Sequence, residues 1–185
     1  MTKSVIDQIF NLFDRFGSLR YGEDATQLQH ALQVAELARR AGCPGTLIAA
    51  SLLHDIGQFM DDAGNAAKTL GIDARHEVNG ASFLKRHFSA AVYEPVRLHV
   101  AAKRYLCAID PGYADGLSRA SLLSLKLQGG PMTAAEVRSF ESEAFFEDAM
   151  ALRRFDDTGK QPDWRVPDLE SHRPLLEALM AENVG

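Results

Sequence analysis

The chain has 185 residues, 46% of them hydrophobic, and a formal net charge of −5. That length suits one domain with a sizeable core, and the negative balance argues against a broad footprint on nucleic acid while leaving room for a local anion pocket. No apolar run approaches the roughly 20 residues that span a bilayer, the opening Met1-Thr2-Lys3-Ser4 has no apolar signal core, and Cys43 and Cys107 form no CxxC pattern; a cytoplasmic protein with reduced thiols is expected.

The hydrophobic period is helical nearly throughout, so the expected fold class is all-α, with residues 1–185 as a single domain. Val5, Ile6, Ile9, Phe10, Leu12, Phe13 and Phe16 recur at three- and four-residue steps, with Gly17 as the stop. A second helix is predicted over 25–41, ended by Gly42. The third, over 45–57, is apolar with little polar relief, which marks it as central and buried, and Gly57 closes it. Residues 58–74, with Asp61, Asp62, Gly64, Asn65 and Gly71, predict an irregular loop. Helices follow over 75–87 and 90–107, then an Asp110-Pro111-Gly112 turn, then a helix from Leu117 to Leu127 stopped by Gly129-Gly130-Pro131. Thr133 and Glu136 have the spacing of a capping box, and the helix they open is expected to run to about Arg154. The tail, 160–185, carries Pro162, Pro167 and Pro174 and predicts mostly irregular chain with a short helix near 173–182.

Four of the six histidines stand where a metal site would want them. His54-Asp55 ends the buried third helix, where an ionised aspartate is costly unless paired or metal-bound. Adjacent helical residues point about 100° apart, so both reach one ion only near a helix terminus. His30 lies one helix earlier, His76 and His99 on the next two helices, and Asp156 beyond the long helix near Arg154. Four imidazoles and two carboxylates are too many for one four-coordinate zinc with an open position. They suit two ions in the core of a helix bundle, with Asp55 the natural bridge. Mixed nitrogen and oxygen donors fit iron or manganese best, with zinc also accommodated. His87 and His172 are expected to be ordinary packed or surface residues.

The chain carries the strings Gln27-Leu28-Gln29-His30, Leu53-His54-Asp55-Ile56-Gly57, His76-Glu77-Val78, His99-Val100-Ala101-Ala102-Lys103-Arg104-Tyr105-Leu106, Leu117-Ser118-Arg119-Ala120-Ser121, Gln128-Gly129-Gly130-Pro131-Met132, and the stretch from Arg153 to Lys160. In these it resembles the HD-domain superfamily and, within it, the mixed-valent di-iron oxygenases that act on 1-hydroxyphosphonates. The resemblance covers roughly residues 18–167. It implies that His30, His54, Asp55 and Asp156 hold one iron and Asp55, His76 and His99 the other, as an Fe(II)/Fe(III) pair with O2 as co-substrate. It also implies that Lys103, Ser121 and Arg153 bind the phosphonate. The spacing agrees, because Lys103 is four residues after His99 and Arg153 three before Asp156, which puts each cation on its ligand's helical face.

The chain also departs from the family pattern. Where the family often has a second histidine after His-Asp-x-Gly, Gln58 stands here. The member acting on a primary amine has a tyrosine at the place of Arg20, three before the counterpart of Glu23. In this chain the aromatic is Tyr21. Tyr21 and Glu23 could cradle a cation, and an aromatic face suits a quaternary ammonium. The expected substrate is therefore a 1-hydroxy-2-(trimethylammonio)ethylphosphonate, giving glycine betaine and phosphate, or the 2-amino compound, giving glycine. Two other functions share these residues: a metal-dependent phosphohydrolase of the HD type, using a metal-bound hydroxide on a phosphoester, and a non-catalytic metal-bound module, which retention of all six ligands argues against. The partner is a small phosphonate, and the oligomeric state is not legible in the sequence.

Overall fold

The computed structural model describes residues 4–21, 23–65 and 70–182; the expectations for Met1–Lys3 and for the 66–69 part of the loop lie outside these residues. Nine α-helices and no strand occur among the described residues. They are α1 (Val5–Phe16), α2 (Gln27–Arg40), α3 (Gly45–Leu53), α4 (His76–Leu84), α5 (Ala90–Ile109), α6 (Arg119–Leu127), α7 (Ala134–Glu141), α8 (Phe146–Thr158) and α9 (Arg173–Glu182). The long α5 is the axis of the bundle, packing on α3, α4 and α8, while α2 packs on α3 and α8. The main core draws Ile6, Ile9 and Phe13 from α1, Ala31 and Ala35 from α2, Leu52 and Leu53 from α3, Leu84 from α4, Val92 and Val96 from α5, Leu152 from α8 and Leu176 from α9. Both cysteines are free thiols, and no described helix is long and apolar enough to cross a membrane.

Local chemistry explains most of the helix ends. Thr26 and Gln29 form a capping box at the start of α2, and Thr133 and Glu136 form the expected one at α7. Past α2, Gly42 takes φ +74°, the left-handed geometry that a helix stop favours. Gln33, fully buried on α2, ties the bundle to the tail. Its amide donates to the carbonyls of Gln161 and Trp164, and its oxygen accepts from the Gln161 N–H.

Three expectations are corrected. The third helix ends at Leu53, not Gly57, and His54 takes its C-cap position. There the His54 ring nitrogen Nδ1 donates to the Ser51 carbonyl at 2.8 Å, satisfying an oxygen that a further turn would have used. The first part of the loop expected over 58–74 is not irregular, since Ile56–Asn65 is a 3-10 helix, whereas 71–74 carry no regular element, as expected. The helix opened at Thr133 does not run through to Arg154; it breaks between Glu141 and Phe146. An unbroken helix would turn Phe140 and Phe146 about 240° apart. The break lets both pack on Tyr105, with ring centroids 5.4 and 5.3 Å from it and 5.1 Å from each other.

Gly57 has a different task from ending a helix. A Cβ on it would lie 1.9 Å from the His76 carbonyl oxygen and 2.8 Å from the Gly80 nitrogen. The 3-10 segment and the first turn of α4 therefore touch backbone to backbone. This contact sets His76 beside Asp55.

Candidate metal centre

The six candidate ligands come from five segments and meet at one place. On one side, the Nε2 atoms of His30 and His54 lie 3.1 Å apart, and Asp156 Oδ1 is 3.1 Å from His30 Nε2 and 3.7 Å from His54 Nε2. On the other, the Nε2 atoms of His76 and His99 lie 3.2 Å apart. Asp55 stands between the two sets. Its Oδ2 is 3.8 Å from His30 Nε2 and 3.5 Å from His54 Nε2, while its Oδ1 is 3.2 Å from His76 Nε2 and 3.7 Å from His99 Nε2. Each carboxylate oxygen thus faces one imidazole pair. His30, His54 and Asp55, and separately Asp55, His76 and His99, are each grouped tightly enough to hold an ion.

The ring orientations fit the same purpose. Nδ1 of His30 donates to the Gly159 carbonyl at 2.7 Å, Nδ1 of His54 to that of Ser51 at 2.8 Å, and Nδ1 of His99 to that of Val96 at 2.7 Å. A carbonyl only accepts, so in these three rings the proton sits on Nδ1 and the Nε2 lone pair points inward. The facing Nε2 atoms of His30 and His54 cannot hydrogen-bond to each other while both rings are neutral in this tautomer. A shared cation accounts for them, so the residues fit a pair of metal ions.

Electrostatics points the same way. Burial alone would raise Asp55, but His54 and His76 beside it outweigh burial and hold it well below the usual carboxylate range. Burial would likewise raise Asp156, yet Arg153 and Lys160 keep it ionised. Burial, with the charges of His76 and His54, pushes His99 down to about 3, so that ring is neutral. Without a cation between the rings, His54, although its burial opposes protonation, is pushed up to about 9 by Asp55 and Asp156, so that a proton on Nε2 takes the place the ion would fill. Two anionic carboxylates around imidazoles form an environment that demands positive charge.

A cavity opens onto this centre. All the expected site residues line it except His54, which is fully buried behind it. Lys103 and Arg153 are each 3% exposed, so neither is a solvated surface cation. Lys103 Nζ donates to Ser124 Oγ at 2.7 Å and is in no ion pair among the described residues; burial, then repulsion from Arg153, pulls it down to about 8. Arg153 is more occupied than its spacing suggested. It donates to Asp156 Oδ2 at 2.7 Å, to Asp157, and from Nε to the Tyr113 hydroxyl at 3.0 Å. Its charge is thus matched by acids, although two of its five N–H groups remain to be directed elsewhere. Ser121 is buried in the cavity wall, which Gln58 also lines. Tyr21, at φ +42°, lines the cavity while Arg20 is exposed, so the aromatic reaches the site from the neighbouring position.

Some lining residues escaped the sequence reading. Lys160 lies 3.0 Å from Glu23 Oε1, 3.3 Å from Ser121 Oγ and 3.8 Å from Asp156 Oδ1. Its spacing of four from Asp156 is the same signal that singled out Lys103. Ser124 and Gln128 also line the wall. His87 packs on Phe83 and His172 is buried near the tail; neither joins the ligand groups.

The family model for the HD domain matches residues 28–124, which include every candidate ligand but Asp156. The hydroxymethylphosphonate dioxygenase of Gimesia maris is 44% identical over 176 residues, covering 95% of this chain and 88% of that protein. The 1-hydroxy-2-(trimethylamino)ethyl phosphonate dioxygenase (glycine-betaine-forming) of Leisingera caerulea is 40% identical over 183 residues, covering 98% and 93%. The chain belongs to the HD-domain family, in the group that contains these hydroxyphosphonate dioxygenases.

Proposed function

We propose that the protein is a di-iron dioxygenase that cleaves the C–P bond of a small 1-hydroxyphosphonate, giving phosphate and a carboxylate. The observation that carries this reading is Asp55, whose two oxygens each face an imidazole pair, beside a cavity holding a buried Lys103. The donor set of imidazoles and carboxylates suits iron, and both relatives are named as dioxygenases of hydroxyphosphonates. His30, His54, Asp55 and Asp156 would hold one ion and Asp55, His76 and His99 the other. Bound there, the ions supply Lewis acidity and electrons for O2.

The chain's own residues bind and orient. Lys103, Ser121 and Arg153 present N–H and O–H donors to the phosphonate oxygens, and the cationic groups make those hydrogen bonds charge-assisted. Gln58 adds an uncharged amide at the wall. The backbone carbonyls of Gly159, Ser51 and Val96 keep three imidazoles in one tautomer and one direction. In the overall change C1 is oxidised to a carboxyl carbon, O2 supplies the oxidant, and the phosphonyl group leaves as inorganic phosphate.

The test is oxygen dependence. Iron-loaded protein is incubated with hydroxymethylphosphonate, with its 2-amino homologue and with its 2-trimethylammonio homologue, first without O2 and then with it, and phosphate is measured. Release that requires O2, with consumption of O2 alongside, is expected. Phosphate appearing without O2 would instead identify a phosphohydrolase.

A further inference from the structure

Lys160 is held in place unusually well for a residue just past a helix end. The carbonyl of Gly159, immediately before it, accepts from His30 Nδ1 at 2.7 Å. Gln161, immediately after it, is tied to the buried Gln33 through both its N–H and its carbonyl. The backbone at 160 is therefore pinned to α2 on both sides, and one of those ties is the metal-ligand imidazole itself. The side chain reaches back into the cavity, 17% exposed, with Nζ at 3.0 Å from Glu23 Oε1 and 3.3 Å from Ser121 Oγ. Ser118 Oγ donates to the same Glu23 oxygen at 2.6 Å.

Two consequences follow from these distances. A phosphonate oxygen accepting from Ser121 would sit within reach of Lys160 as well, because the two donors are neighbours. Glu23, with one oxygen shared between Lys160 and Ser118, is engaged in holding that cation. It is therefore not an unmatched carboxylate waiting for a positive substituent. Around the cavity, Arg153 is matched by Asp156 and Asp157 and Lys160 by Glu23, so a cationic substituent at Glu23 would meet an acid already paired; Asp73, the other lining acid outside the ligand set, accepts from the Arg75 N–H at 3.0 Å.

We propose that Lys160, positioned by Glu23 and Ser118, is a further phosphonate-binding residue, and that the site accordingly takes a 1-hydroxyphosphonate with an uncharged, small substituent. This inference rests on the phosphonate reading above and deepens it. Lys160 recognises the anion. Glu23 is its positioning residue, and discrimination among substrates follows from that commitment.

The experiment uses the metal-loaded protein and two readouts. Binding of methylphosphonate, which has no C1 hydroxyl to react, is measured by calorimetry without O2; kcat/KM is then measured in air for hydroxymethylphosphonate and the trimethylammonio substrate. Lys160→Met is expected to weaken methylphosphonate binding by about tenfold or more, the loss of one charge-assisted hydrogen bond, and to raise KM more than it lowers kcat. Lys160→Arg, which keeps the charge, is expected to retain most of the affinity. Wild-type protein is expected to favour hydroxymethylphosphonate. Unchanged methylphosphonate affinity in Lys160→Met, or equal loss in Lys160→Arg, overturns the binding role. A wild-type preference for the trimethylammonio substrate overturns the commitment of Glu23. If wild type neither binds methylphosphonate nor releases phosphate from any hydroxyphosphonate in air, the functional reading itself falls, and this inference with it.

Discussion

Single residues in this site are defined by which atom they present. The carbonyls behind His30, His54 and His99 hold the proton on Nδ1, leaving Nε2 as the donor atom. His99 is the plainest case, because its burial and the charges of His76 and His54 keep it neutral. His99→Ala removes one of the two imidazoles facing Oδ1 of Asp55, so that variant is expected to bind one ion per chain and wild type two. Metal analysis after iron loading, with circular dichroism to confirm the helical fold, checks this; two ions in the variant would refute the assignment. The type and spacing of these donors were readable in the chain, and so was Lys103, four residues from His99. Lys160 has the same spacing from Asp156 but stands beyond the last helical turn. There a helical rule no longer says which way the side chain goes, and only its contacts with Glu23 and Ser121 show it.

At the scale of elements, the centre depends on how closely α4 approaches the segment after α3. Gly57 and the first turn of α4 meet with no space for a methyl group. Gly57→Ala must push His76 away from Asp55, because the obstructing atoms are backbone. A loss of about 1–3 kcal/mol or more is expected from such overpacking, together with loss of the ion on the His76 and His99 side. Thermal melts and metal content measure both. Gly116→Ala, where a Cβ would meet nothing within 4 Å, serves as the neutral comparison. The sequence marked Gly57 as important for a simpler reason than the real one: a glycine after an apolar run reads as a stop, whereas here it is a contact point. The break before α8 was missed for a related reason. The local pattern from 134 to 154 is helical, and the gain from seating Phe140 and Phe146 together on Tyr105 belongs to another helix.

For the whole molecule, the candidate ligands come from α2, the end of α3, α4, α5 and α8, so ions bound there would act as ties across most of the bundle. Removing them should leave like-charged carboxylates and crowded imidazoles at the centre. An ion that binds only the folded state stabilises it by about 2.7 kcal/mol at a hundredfold excess over Kd. For a chain of this size that corresponds to a Tm lower by roughly 5–10 °C in chelator-treated protein. Calorimetry before and after chelation, with recovery on adding Fe(II), tests it; an unchanged Tm would mean that the cluster holds no structural tie.

The amino-acid order alone determined the all-helical class and singled out six candidate donors, because hydrophobic period and donor chemistry are properties of short stretches. It also carried the family resemblance that the relatives bear out. Only the tertiary structure decided which oxygen of Asp55 faces which imidazole pair, that Arg153 is already matched by two acids, and that Glu23 is engaged by Lys160. Those outcomes are set by distances of a few ångströms between residues as much as 137 positions apart. Electrostatic pairing falls off with such distances, and no local pattern in the chain encodes them.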